Sequence, residues 1–247
     1  MVRHLEINNG EGKILRGYLT TPNHPFSLTV VFYHGFTGNK TEHNHLFRDF
    51  SRRLALEGMA SLRMDFSGNG ESDGDFCDFN FDIMQKEAKL MLLEAKKTSP
   101  QVVALGFSMG GAVAAKLAAD YSDLLAALVL WSPAGNINEL VQKRFEATKK
   151  LPNGNADILG FEMSEALYQS SFKVNWYNGL SEFTKPVLII HGEGDQAVPS
   201  QYGKKYQELF SDAVFELIPK ANHGYDNRHD QALLITKTIQ FLKGVKI

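Results

Sequence analysis

The apolar run Val102-Val103-Ala104-Leu105-Gly106-Phe107 passes without a spacer into Ser108-Met109-Gly110-Gly111, and then into an alanine-rich stretch ending near Ala119. A short run that is apolar at every position reads as a strand buried on both faces. The alanine-rich stretch reads as a helix. With no loop residues between them, the chain must turn sharply from strand to helix at Ser108 itself. Gly106 and Gly110 supply the small neighbours that so close a passage needs. The feature therefore demands a sheet with helices packed against it.

The rest of the chain repeats this rhythm. Ile14–Leu19 alternates with period two and predicts a half-exposed strand, and Leu28–Tyr33 predicts a fully buried one. Leu46, Phe50 and Leu54 mark a helix that stops at Gly58, and Ala60–Phe66 predicts the next strand. A helix is expected over 81–97, with Ile83, Met84, Leu90, Met91 and Leu93 on its apolar side. Strands follow at Ala127–Trp131, Pro186–His191 and Val214–Ile218, and a helix over 230–243 closes the chain. Strands alternating with helices imply an α/β fold: a mostly parallel central sheet with helices on both faces. Ligands in such sheets bind beyond the carboxyl ends of the strands.

One interval breaks the pattern. More than fifty residues separate Trp131 from Pro186, which is more than one crossover helix needs. Residues 1–132 and 182–247 therefore read as one core, and 133–181 as an inserted lid. Its many apolar and aromatic residues, among them Phe145, Phe161, Tyr168, Phe172 and Trp176, suit a cover over an apolar acyl or aryl group. Most of those rings are expected to form the segment's own small core.

The Gly-x-Ser-x-Gly pattern between a buried strand and a helix is the setting in which it carries chemistry. The turn lifts the Ser108 hydroxyl clear of the sheet, and the helix N-terminus aims N–H groups and a positive dipole end at it. A hydroxyl is a poor nucleophile at neutral pH, so it needs a base oriented by a third group. In this arrangement acid and then base follow the serine along the chain. Asp195, in Gly192-Glu193-Gly194-Asp195 just past a late strand, is the candidate acid, with Glu193 as rival. His223, just past the final strand, is the candidate base, with His229 as a weaker rival at the start of the last helix. The remaining histidines, His191 included, read as surface or satisfied loop residues. The loop His34-Gly35-Phe36-Thr37-Gly38 follows a buried strand, so the N–H groups of Phe36 and Met109 are candidates for an oxyanion hole. His34 is expected to shape that turn.

Other classes find less support. The net charge of -2 argues against nucleic acid or an acidic membrane surface as partner. No stretch reaches the length of a membrane span, and the N-terminal residues lack the apolar core of a secretion signal. The lone Cys77, which sits between acids, fits a reducing compartment and not a nucleophile. A cytoplasmic location is therefore expected. No zinc-binding His-Glu-x-x-His, no dinucleotide glycine motif and no phosphate loop is present, so neither metal nor nucleotide cofactor is expected. A homodimer is left open.

Taken together, His34-Gly35-Phe36, the Asp65-Phe66-Ser67-Gly68-Asn69-Gly70-Glu71-Ser72 loop, Gly106–Gly110 and the Asp195 and His223 loops make the chain resemble the α/β-hydrolase superfamily over nearly its whole length. Within it, His34–Gly38 and Thr184–Gly192 are most similar to the small bacterial cinnamoyl and feruloyl esterases. Met109 stands where several of those esterases carry Gln. The resemblance implies a cofactor-free serine esterase, with an acyl-enzyme intermediate, acting on hydroxycinnamate or other small acyl esters. A thioesterase or peptidase-like amidase would use the same residues. A non-catalytic binding protein of this fold would show degraded triad positions.

Overall fold

The computed structural model describes residues 1–245; the last two residues of the predicted 182–247 core segment lie outside the described residues. Eight strands form one sheet in the order β1-β2-β4-β3-β5-β6-β9-β10. They are β1 (Val2–Asn8), β2 (Ile14–Thr20), β3 (Leu28–Tyr33), β4 (Ala60–Met64), β5 (Gln101–Phe107), β6 (Ala127–Trp131), β9 (Val187–Gly192) and β10 (Ala213–Ile218). From β4 to β10 every pairing is parallel; β1 and β2 join antiparallel at one edge. The strand β1 escaped the sequence pattern. It is exposed over Val2–His4, so it shows little apolar alternation, and its pairing with β2 holds it in place. The fourth strand stops at Met64 instead of Phe66, because Asp65 turns inward to anchor a loop described below.

Period-two alternation sorts the buried strands into two cores. Val31, Tyr33, Val102 and Ala104 face one cluster, and Val30, Phe32, Val103 and Leu105 face the other. The first cluster is covered by α2 (Phe81–Lys96), α3 (Met109–Asp120) and α6 (Gln201–Leu209), the second by α1 (Leu46–Leu56) and α7 (Arg228–Gly244). Each fully buried large apolar side chain contributes about 1.5–3 kcal/mol, so the sheet's two faces dominate stability. In α2 the buried stripe is Met84, Ala88, Met91, Leu92 and Ala95. Met84 and Met91 of the predicted apolar side are thus buried, while Ile83 and Leu90 flank the stripe and Leu93 is 38% exposed. Alanines at 88 and 95, which carry little hydropathic signal, let α2 approach the sheet closely.

Between β6 and β9, which are neighbours in the sheet, the chain makes its long excursion. It contains α4 (Ile137–Ala147), the hairpin β7 (Ala156–Ile158) and β8 (Phe161–Met163), and α5 (Glu165–Ser171). Ile137, Val141, Phe145, Leu167 and Trp176 join this segment to the α2–α3 side of the core. Among the described residues no helix is long and apolar enough to cross a membrane.

Candidate active site

The turn between β5 and α3 is as tight as the sequence demands. A Cβ on Gly106 would lie 2.0 Å from the Gly110 carbonyl oxygen, and one on Gly110 would lie 2.0 Å from that of Tyr33. Neither position admits a side chain. Ser108 between them has φ 54° and ψ -118°, a conformation that costs a non-glycine residue about 1–3 kcal/mol. The surrounding backbone holds it there: the Ser108 N–H donates to Trp131 O (2.9 Å), and Ser108 O accepts from the N–H of Ala134 (2.9 Å).

His223 reaches Ser108 from the loop between β10 and α7. Its Nε2 is 2.9 Å from Ser108 Oγ, and its Nδ1 is 2.6 Å from Asp195 Oδ2. With a carboxylate on one side and a hydroxyl on the other, the proton belongs on Nδ1, which leaves the Nε2 lone pair facing Ser108. The ring packs on Phe107, with centroids 5.0 Å apart.

Asp195 sits in the turn between β9 and α6 with its side chain fully buried. Its Oδ1 accepts from the N–H groups of Ala197 (3.0 Å) and Val198 (2.8 Å). Burial alone would raise its pKa. Hydrogen bonds from His191 and His223, the charge on His223 and the Val198 N–H outweigh burial and hold it well below the usual carboxylate range. The rivals are engaged elsewhere: Glu193 is exposed and accepts from the Lys220 N–H, and His229 is exposed on the first turn of α7.

His191 departs from the sequence expectation. It lies within β9, fully buried, with Nε2 2.8 Å from Val198 O and 3.3 Å from Asp195 Oδ2. Both neighbours are acceptors, so Nε2 carries the proton and lies against the same carboxylate oxygen that His223 contacts. A histidine ending an otherwise aliphatic strand was the available signal.

The loop after β3 lies directly against the serine: a Cβ on Gly35 would sit 3.5 Å from Ser108 Cβ. Among the described residues, the N–H groups of Phe36 and Met109 donate to no protein acceptor. His34 is fully buried and shapes the turn from both ring nitrogens, with Nδ1 2.9 Å from Gly35 O and Nε2 accepting from the Phe66 N–H (3.1 Å). Sequence reasoning missed Glu42. Its Oε1 accepts from the Gly35 N–H (2.5 Å), and a Cβ on Gly38 would collide with that same oxygen at 2.6 Å. The His34–Gly35 peptide, one before the peptide that carries the Phe36 N–H, is thus oriented by a carboxylate. Four non-glycine residues here, Thr37, Glu42, Asn44 and His45, hold φ between 51° and 62°. Asp65, fully buried, ties the loop to its neighbour by accepting from the Lys40 N–H (2.5 Å), Lys40 Nζ (2.7 Å) and the Glu71 N–H (2.8 Å).

A cavity of about 500 Å³ opens over Ser108. Its aromatic wall comes from Phe36, Phe81 and Phe107 of the core. The inserted segment contributes Ala134 and the Ile137, Leu140, Val141 and Arg144 face of α4. Its rings pack elsewhere: Phe145 stacks on Tyr168 (4.7 Å), Tyr168 meets Phe172 (5.2 Å), Phe161 lies on Phe76 (5.1 Å) and Trp176 on Phe81 (5.2 Å). Cys77 is half-buried beside this area, its thiol pushed up by burial and by Asp78, Glu162 and Asp75.

Residues 25–158, which include Ser108, match the family described as serine aminopeptidase, S33. The chain belongs to that family. It has the α/β-hydrolase fold and is a serine hydrolase. Among solved structures it is similar to Est1E from Butyrivibrio proteoclasticus with ferulic acid bound, at 26% identity, covering 98% of each chain with a TM-score of 0.85. Among curated proteins it is similar to the AB hydrolase superfamily protein YisY of Bacillus subtilis, at 22% identity over 85% of this chain and 89% of that one. It is also similar to the serine hydrolase BPHL of Mus musculus, at 25% identity over 63% of this chain and 60% of that one.

Proposed function

We propose that this hydrolase cleaves carboxylic esters through Ser108, His223 and Asp195, and that aryl esters of the feruloyl type are among its substrates. The observation that carries the reading is the unbroken hydrogen-bonded line from Asp195 through His223 to Ser108, ending in a cavity. His223 Nε2 takes the proton as Ser108 Oγ attacks the ester carbonyl. Asp195 keeps the imidazole in its Nδ1–H tautomer and stabilises the imidazolium. The N–H groups of Phe36 and Met109 receive the oxyanion, each such donor typically being worth about 3–4 kcal/mol. The alcohol leaves with the proton from His223, and water then releases the acid from Ser108. The 133–181 segment acts as the lid. Support for an aryl acyl group comes from the cavity's three core phenylalanines and from the ferulic acid held by Est1E.

A second reading, cleavage at a free N-terminus, takes its motive from the family's description. It needs an acid to hold an ammonium. Glu42 and Asp226 line the cavity, but Glu42 already accepts from the N–H groups of Gly35 and His43, and Asp226 from Asn44 and Asn222, with His43 Nε2 at 2.8 Å. The ester reading is therefore preferred. Methyl ferulate, p-nitrophenyl butyrate, an acyl-CoA and an aminoacyl p-nitroanilide, each assayed with wild type and Ser108→Ala, decide between them. Ester hydrolysis that vanishes in the variant is expected. A strong preference for the thioester or the anilide overturns the substrate assignment, and equal rates in both proteins overturn the nucleophile.

A further inference from the structure

The helix α4 presents one face to the cavity, and that face is read directly from its spacing. Ile137, Leu140, Val141 and Arg144 stand at i, i+3, i+4 and i+7, the positions that share one side of a helix. The first three are aliphatic, as a cover over an apolar cavity requires. At the fourth, where the pattern calls for another aliphatic residue, stands a guanidinium. It lies 4.8 Å from the centroid of the Phe36 ring, over the residue whose N–H is proposed for the oxyanion hole.

The charges of this cavity are not equally satisfied. Its two carboxylates, Glu42 and Asp226, are held by protein donors as described above. Among the described residues Arg144 makes no ion pair and no hydrogen bond, its ring contact with Phe36 aside. The nearest acid on its own helix, Glu146, is turned to the other side, where it accepts from Gln142 and the Tyr168 hydroxyl. Arg144 is an exposed residue that lines the mouth of the cavity, with its guanidinium packed against the Phe36 ring. Desolvation of that guanidinium, with no acid near enough to oppose it, pulls its pKa below the ordinary value. A guanidinium offers a planar fork of donors that matches a carboxylate.

We propose that Arg144 is a specificity-determining residue that recognises an anion in the substrate, and that the preferred substrates are esters bearing a carboxylate. The proposal rests on the ester-hydrolase reading for its substrate class but not for its binding site. The anion sits beneath the C-terminal half of α4 and against the Phe36 ring, while the ester carbonyl lies at Ser108.

The test compares two esters of similar shape, monomethyl adipate and dimethyl adipate, followed by pH-stat at neutral pH. Wild type is expected to favour the charged ester in kcat/KM. The charged-to-neutral ratio falls about tenfold in Arg144→Gln, falls further in Arg144→Glu and is largely kept in Arg144→Lys. A ratio within twofold of wild type in all three variants overturns the proposal. Binding is measured separately by titrating monomethyl adipate into Ser108→Ala and Ser108→Ala/Arg144→Gln, which requires no turnover. A loss of affinity of about tenfold in the double variant is expected, and equal affinities overturn the anion site. If wild type hydrolyses neither ester while binding depends on Arg144, the ester-hydrolase reading fails and the anion site stands. If both esters are hydrolysed by wild type and neither turnover nor the binding of monomethyl adipate depends on Arg144, the reverse holds.

Discussion

Two regions meet at the cavity, and they are built by different rules. On the sheet side, Ser108, Asp195 and His223 each occupy a turn at the carboxyl end of a strand, and each is held by backbone hydrogen bonds or a buried partner. On the other side, the 133–181 segment is made of short elements held mainly by apolar contacts, with Leu159 at its hairpin tip 94% exposed. The difference teaches that position is expensive where bonds are to be broken, and cheap where a substrate is only to be covered. In the first region the backbone itself is strained into place. In the second, ordinary helical periodicity suffices to set one face of α4 on the cavity.

The largest expected effect lies on the sheet side. Ser108→Ala is expected to lower kcat/KM on an ester by about 10⁴–10⁶-fold while leaving the thermal midpoint almost unchanged. A residual rate within tenfold of wild type would remove the distinction between the two regions altogether. Asp195→Asn follows, with a loss of about 10³–10⁴-fold, since an amide favours the wrong imidazole tautomer. The same substitution has a pH signature. Because the folded-state pKa of Asp195 is depressed, the carboxylate stabilises the fold above its ordinary unfolded value, near 4, and that contribution is lost as pH falls below it. Urea unfolding should therefore separate wild type from Asp195→Asn at pH 7, and the separation should shrink at pH 3. A gap that widens in acid would mean that Asp195 is not held as a carboxylate.

Glu42 sharpens the comparison, since in the proposed mechanism it acts by holding the loop that carries the Phe36 N–H. Glu42→Ala is expected to lower kcat by about 10–100-fold with KM within twofold, and Glu42→Gln, which keeps the acceptor for the Gly35 N–H, to restore most of it. A rise in KM with kcat intact would place Glu42 among groups that merely bind. The smallest effect belongs to the inserted segment. Leu140→Ala removes a half-buried wall residue worth about 1 kcal/mol to an apolar substrate, so KM should rise about fivefold with kcat preserved. By contrast Leu105→Ala, deep in the sheet, should cost about 2–5 kcal/mol of stability, measured by denaturant unfolding.

The same contrast decides what was legible in the sequence. Ser108, Asp195 and His223 stood out as candidates because each follows an apolar strand within a few residues, and the structure brings the three within hydrogen-bonding distance. The buried strands were equally plain, since residues covered on both faces must be apolar throughout. What escaped depends on contacts distant in sequence or on weak local patterns. Glu42 looks like any surface acid until the loop folds back and brings its carboxylate to Gly35. The role of His191 exists only because Val198 and Asp195 return beside it. The helix α6 carries few apolar residues, and only Gly203 and Tyr206 are buried, so it left little periodic trace. Most of the inserted segment's rings were expected to pack among themselves, and they pair with one another or with the core, because a flat ring gains more from full contact than from facing open space.

The excursion leaves β6 at Trp131 and rejoins the sheet at Val187, which pairs with Leu128 at the other end of the same parallel strand pair. Both roots are thus fixed in position by the paired strands whatever lies between them. Doubling the length of such a loop adds only about 0.6 kcal/mol of closure entropy. The segment is therefore open to grafting: a different cover from another hydrolase of this family can be spliced across the same two strands without shifting a rung of the sheet. Evolution and engineering alike can exchange the reader of the substrate while the cutting machinery beneath it stays as it is.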